Sequence, residues 1–235
     1  MRKDMAVLSS LIKVSALVLG AGLVVAGCSP VKLGAAAVVG NQRITVATLN
    51  TDVTNLSRQV KLYPGTVQLT PAQETQQTLA WLIRFQINEQ LAKQAGITVS
   101  TAQGEAALNE IFKSAAANAQ AQGIKNVTIN LILTANGIPA NLRTEVGRYQ
   151  AITDQFELQA NGGKPPTTQD QANAANDKLS KAMCLAAKQL KIEVNPQYGR
   201  LDYSQQFAVV AVTPTVTRTE GPAPTASPSG LTPAC

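Results

Sequence analysis

Between Thr70 and Gly96 the chain has few options other than one long helix. Thr70 is an N-cap residue, and Pro71 takes the first helical position, where its missing N–H costs nothing. Gln73 completes a capping-box pattern with Thr70. Leu79, Leu82, Ile83, Ile87 and Leu91 then form one apolar stripe, with Trp81 and Phe85 on an adjoining face. Gly96 is the C-terminal glycine that closes the helix. The pattern repeats at once. Ser100 with Gln103 three residues on opens another helix, whose stripe is Leu108, Ile111, Phe112, Ala115 and Ala119, and Gly123 lies just past its end.

The flanking segments extend the same architecture. Ala37-Val38-Val39 and Arg43-Ile44-Thr45 read as two short extended segments around Gly40-Asn41-Gln42. A helix follows from Val46, capped by Thr45, with Leu49, Val53, Leu56 and Val60 recurring until Pro64-Gly65 stops it. Asn126 to Ala135 reads as a short helix ended by Asn136-Gly137, although Val127-Thr128-Ile129 suits a strand equally. Ala140 to Ala160 is a longer helix, its seam Leu142, Val146, Tyr149, Thr153 and Phe156. Gly162-Gly163 and Pro165-Pro166 break the chain over Asn161–Thr168. Gln169 to Leu190 is helical again, with Leu179, Met183, Ala186 or Ala187, and Leu190 turned inward. Ile192-Glu193-Val194 is a short strand before Asn195-Pro196, and residues 207–212 are a further strand or an adhesive edge. The expected fold is mainly α: one helical domain over residues 35–212, with a small β element joining its N- and C-terminal ends. Residues 213–235 are rich in Thr, Pro, Ser and Ala and are expected to be a disordered tail.

Residues 1–27 read as a targeting segment. Arg2, Lys3 and Lys13 precede the apolar run Val14–Ala26. That run is shorter than the roughly 20 apolar residues a comfortable membrane span needs. It ends in Val25-Ala26-Gly27-Cys28, which resembles the bacterial lipobox. The resemblance implies diacylglyceryl transfer to the Cys28 sulfur, cleavage before Cys28, and N-acylation of the new terminus. Two or three acyl chains hold a protein on a membrane far better than one. The mature chain is then extracytoplasmic and tethered to the membrane at Cys28 through residues 28–34. The Ala/Thr-rich composition and the tail favour a Gram-positive actinobacterial setting, on the outer face of the cell membrane.

Composition removes most catalytic classes. The chain has no histidine, so Ser-His-Asp and Cys-His hydrolysis, His-ligated metals and imidazole acid–base chemistry are all excluded. Three cysteines cannot build a four-thiolate zinc site. No metal or cofactor is expected, and no enzyme activity. Glu105, Glu110, Glu145 and Glu157 are scattered on helices with no nucleophile or ligand beside them, and read as solvated faces. The formal charge is +6, from 20 basic and 14 acidic residues. Arg2, Lys3, Lys13 and Asp4 belong to the targeting segment, so the remainder is only mildly basic. No Lys/Arg run carries interleaved aromatics, which argues against nucleic acid as a partner. Cys184 and Cys235 could pair in an oxidising compartment, closing a loop worth roughly 4 kcal/mol in the chain-entropy model. Equally, Cys184 could be a buried free thiol and Cys235 an unpaired tail thiol.

Three features occur in a recognisable order. Ala37-Val38-Val39-Gly40-Asn41-Gln42-Arg43-Ile44-Thr45 is a small hairpin leading straight into a helix. A run of amphipathic helices follows. Ile192-Glu193-Val194-Asn195-Pro196-Gln197-Tyr198-Gly199-Arg200-Leu201-Asp202 comes last. Over residues 35–205 this resembles the chaperone module of SurA/PrsA-type extracytoplasmic foldases, related in fold to the C-terminal arms of trigger factor. The family pattern has Arg where Gln197 stands and an aromatic where Leu201 stands. The resemblance implies that the late segment returns to pair with the early strands. It also implies a client-binding module, since Asn161–Thr168 occupies the place of a parvulin domain and is far too short to be one.

The resemblance makes unfolded or newly exported proteins the expected partners. Trp81, Phe85, Phe112, Tyr149 and Phe156 are the candidate apolar client-binding surface, lining a groove that would bind extended segments by non-directional burial. The alternative is a structural or adaptor envelope lipoprotein whose helices bind one defined protein.

Overall fold

The structure is a computed structural model that describes residues 34–212 and Cys235. Residues 1–33, where the targeting segment, the lipidation of Cys28 and most of the tether are expected, and residues 213–234 of the expected tail lie outside the described residues. Five strands and six helices are described, and the architecture is mainly helical with small antiparallel sheets.

The ends of the domain meet in one sheet. Strands β1 (Ala35–Val39) and β2 (Gln42–Thr45) form an antiparallel hairpin, with Val39 opposite Gln42. Gly40 turns the chain with φ 58, a conformation glycine adopts without penalty. Strand β3 (Ile192–Val194) pairs with the other edge of β1, placing Ala37 opposite Val194 and Val39 opposite Ile192. The order is β2-β1-β3, so the first strand becomes the central one. Further bonds lock this closure: Gly40 N donates to Leu190 O at 3.0 Å and Asn195 N to Ala36 O at 2.9 Å. Ala35, Ala36 and Ala37 have no solvent exposure, which accounts for a strand made of the smallest side chains.

Helices α1 (Val46–Leu62), α2 (Pro71–Ala95) and α3 (Thr101–Ala121) start where their caps place them. Both capping boxes close, with Gln73 N bonded to Thr70 Oγ1 and Gln103 N to Ser100 Oγ, each at 3.3 Å. Gly96 ends α2 in the left-handed conformation, φ 65. Helix α4 is shorter than expected, Ile129–Ala135, because Thr128 is its extended N-cap and accepts from Leu131 N at 3.2 Å. The helix expected from Ala140 opens as a 3-10 turn over Ala140–Leu142 and continues as α5 (Arg143–Ala160). Helix α6 spans Gln169–Gln189. The strand expected within residues 207–212 forms as β5 (Ala208–Val210); it pairs with β4 (Arg200–Asp202) in a separate two-stranded sheet, so of the late segment only β3 returns to the early strands.

Helix α2 is the hub. It touches α1, α5, α6, β1 and β5, so apolar residues spread around its circumference instead of keeping to one stripe. Leu79, Ile83, Ile87 and Leu91 enter the main core with Val39, Leu49, Met183, Phe207 and Val209. Phe85 enters a second core with Leu108, Leu133, Leu142 and Val146. A third, smaller cluster joins Ala92, Ile97 and Val99 to Ala151 and Ile152. Helices α3 and α5 come into backbone contact at Gly104 and Gly147, where a Cβ on Gly147 would stand 2.5 Å from Gly104 O. Arg148 ties the same crossing to α2, pairing with Glu89 through two nitrogens and donating Nη1 to Val99 O at 2.8 Å. Beyond that crossing α3 is less enclosed than expected: of its residues only Gly104 and Leu108 are buried, and Ile111, Phe112, Ala115 and Ala119 are half-buried. The structure joins Cys184 of α6 to Cys235 in a disulfide with Cα atoms 5.4 Å apart.

Candidate functional site

Four segments converge on an open cleft of about 220 Å³. Helix α2 contributes Trp81 and Arg84, three residues apart and therefore neighbours on its surface. Tyr149 comes from α5, Leu179 and Met183 from α6, and Phe207 from the connection between β4 and β5. That connection is held open by two consecutive left-handed residues, Gln206 (φ 52) and Phe207 (φ 62).

The aromatic side chains support one another. Trp81 meets Tyr149 edge-on, centroids 6.1 Å apart at 83°, and Phe85 meets Tyr149 at 6.0 Å and 65°. Trp81 and Phe85 lie 5.8 Å apart. The Arg84 guanidinium sits 4.9 Å from the Trp81 ring centroid, and its Nε donates to Gln206 O at 2.8 Å. Burial pulls the Arg84 pKa down from its ordinary value, and the neighbouring Tyr149 opposes that shift. Burial likewise pushes the Tyr149 phenol up, with Arg84 opposing.

The five residues expected to make one apolar surface divide. Trp81 and Tyr149 are half-buried and line the cleft. Phe85 is 7% exposed and stands behind them as core, so it braces the cleft wall and offers no surface of its own. Phe112 is half-buried on α3 and takes no part in the cleft. Phe156 packs, half-buried, against the main and third cores. Sequence reasoning missed Arg84, although its helical spacing from Trp81 was visible. It also missed Phe207 as a cleft residue, because only the tertiary return of the β4–β5 sheet carries it there.

A polar feature lies on the inner face of α1, where Asp52 and Gln59 are buried alongside Leu49 and Leu56. Asn141 Nδ2 donates to Asp52 Oδ1 at 2.6 Å. Asp52 Oδ2, Asn55 Oδ1 and Gln59 Oε1 have no hydrogen-bond partner among the described residues. Burial raises the Asp52 pKa above 3.8, against the lowering effect of the Asn141 bond. Asp52 therefore binds its proton more tightly folded than unfolded. Its contribution to stability is fully present in acid and is lost as the pH rises through the folded value. Asp52→Asn removes the charge, keeps an acceptor for Asn141 and adds a donor on the face of the orphan Asn55 oxygen. In thermal unfolding the variant should melt above the parent at neutral pH, with the gap closing on acidification. A variant that melts lower at neutral pH would reject this account.

Among the described residues no cluster of three or more His, Cys, Asp or Glu side chains could hold a metal ion. No described helix is long and apolar enough to cross a membrane. Compared with protein-family models, curated proteins and solved structures, the chain matches none.

Proposed function

We propose that this chain is a membrane-tethered extracytoplasmic holdase, which binds unfolded exported polypeptides without prolyl isomerase activity. The observation that carries the reading is the cleft in which Trp81, Tyr149, Met183 and Phe207 surround about 220 Å³ of open space. An apolar cavity of roughly 150 Å³ accommodates benzene, so this one has room for a single large side chain. Burying one such side chain is worth about 1.5–3 kcal/mol. Taken singly that is weak and fast, as a holdase requires if it is to release its clients. The aromatic and thioether lining tolerates different apolar shapes. A lipid anchor at Cys28 would keep the cleft beside chains leaving the membrane and raise their effective concentration. The pairing of β3 with β1 supports the same reading, since the family resemblance implies that closure.

The test is aggregation. The mature chain, residues 29–235 without lipid, should suppress aggregation of two unrelated, chemically unfolded secretory proteins at stoichiometric ratio. Trp81→Ala combined with Tyr149→Ala should lose much of that protection while keeping the native circular dichroism. If the folded parent protects neither client, the holdase reading is rejected, and an adaptor lipoprotein with one envelope partner replaces it.

A further inference from the structure

The cleft holds more than apolar surface. Among the described residues Arg84 spends only Nε on a hydrogen bond, to Gln206 O, and neither Nη1 nor Nη2 has a partner there. No carboxylate pairs with it among the described residues. The Tyr149 hydroxyl likewise has no hydrogen-bond partner there, and the Ser180 hydroxyl stands at the exposed lip. A guanidinium with an unused pair of donors, beside a phenol and walled by Trp81, Leu179, Met183 and Phe207, is a carboxylate receptor next to an apolar pocket.

We infer that this cleft binds a carboxylate attached directly to a residue with a large apolar side chain, namely the free C-terminus of an unfolded polypeptide. This inference rests on the holdase reading and names the feature of the client that the site selects. The C-terminus fits better than an internal acidic residue for a geometric reason. Successive side chains of an extended chain point to opposite sides, so an internal acid and an apolar residue share a side only two positions apart. Such a pair spans roughly 7 Å of chain at about 3.3 Å per residue. A terminal residue carries its apolar group and its carboxylate on the same Cα, which suits a cleft of about 220 Å³. Charge complementarity points the same way. A partly buried cation without a counter-charge gains most from an anion that completes it.

Trp81 is the only tryptophan in the chain, so its emission reports the cleft directly. The mature chain would be titrated with three peptides sharing a polar body: one ending in Phe as the free acid, the same peptide as its C-terminal amide, and an amide carrying Glu two residues before Phe. The free acid should bind roughly tenfold to a hundredfold more tightly than its amide, the size of effect a charged hydrogen-bonding group gives. Added salt should narrow that ratio. Arg84→Gln should abolish it, and Arg84→Lys should keep part of it. Equal binding of acid and amide to the parent overturns the inference, as does an undiminished preference in a folded Arg84→Gln variant. A Glu-containing amide that matches the free acid overturns the assignment to the C-terminus. An unchanged Trp81 emission with all three peptides also overturns it. The parent comparison stands whether or not the Arg84 variants fold. Aggregation assays on the same preparation separate the two readings: clients protected, with acid and amide bound equally, sinks the carboxylate receptor alone.

Discussion

Gly199→Ala should cost the fold about 2–5 kcal/mol and remove one wall of the cleft. Gly199 has φ +133, which L side chains rarely adopt. An added Cβ would also collide with the Val210 carbonyl oxygen, and would lie 3.0 Å from its carbon and 3.1 Å from Val209 Cγ1. Neither neighbour is free to yield. Val210 is paired with Arg200 and Val209 with Leu201, so retreat opens the β4–β5 ladder at its end. Val209 and Phe207 are each 5% exposed and belong to the main core, so the damage spreads inward to α2. Gln206 would leave Arg84, and the environment of Trp81 would change with it. At about 2–4 °C per kcal/mol for a domain of this size, the melting temperature should fall by roughly 5–20 °C. Gly65→Ala is the control. Its φ is +84, yet nothing lies within 4 Å of its Cβ position, so it measures backbone strain without collision. It should cost only about 1 kcal/mol. Equal small losses for both variants would mean that the close approach of Gly199 to β5 carries no weight.

The helices were legible because their signals are local. Thr70, Pro71, Gln73 and Gly96 each act on backbone within one turn, and the structure places all four in those roles. The same holds for Thr45 and Ser100 as caps of α1 and α3, whereas Thr168, the cap of α6, was read only as the end of a linker. What could not be read locally is which apolar residues face one another. The stripe on α3 has a buried residue's composition, yet Ile111 and Phe112 are only half-covered, because the close contact with α5 is centred at Gly104. Phe85 has the composition of a binding-surface residue, yet α5 covers it through Tyr149 and Val146. Asp52 and Gln59 occupy inward positions of α1 that a search for apolar spacing passes over. The cleft depends on Arg84 reaching Gln206 across more than half of the chain, a contact that no sequence window contains.

A chain ending at Gln189 should fail to fold cooperatively, although it retains all six described α-helices. Such a chain loses β3, and with it the partner of one whole edge of β1. It also loses the acceptor Leu190 O for Gly40 N, the donor Asn195 N for Ala36 O, and Asn195 Nδ2 for Ala35 O at 3.2 Å. These groups surround alanines with no solvent exposure, so the vacated carbonyls would need hydration inside the core. Phe207 and Val209 would no longer cover Leu79 and Ile83 of α2. A domain with about 5–15 kcal/mol of net stability does not survive losses on both sides of its central helix. A chain ending at Pro196 separates the contributions, because it restores β3 and leaves out only the β4–β5 cover. It should regain a sigmoidal, weaker melt, while full-length Cys235→Ser controls for the disulfide missing from both truncations. A cooperative melt from the chain ending at Gln189 would show that the helices stand without the sheet. The closure has a consequence for timing. Because Ala37 waits for Val194, the sheet cannot be completed until nearly the whole domain is available.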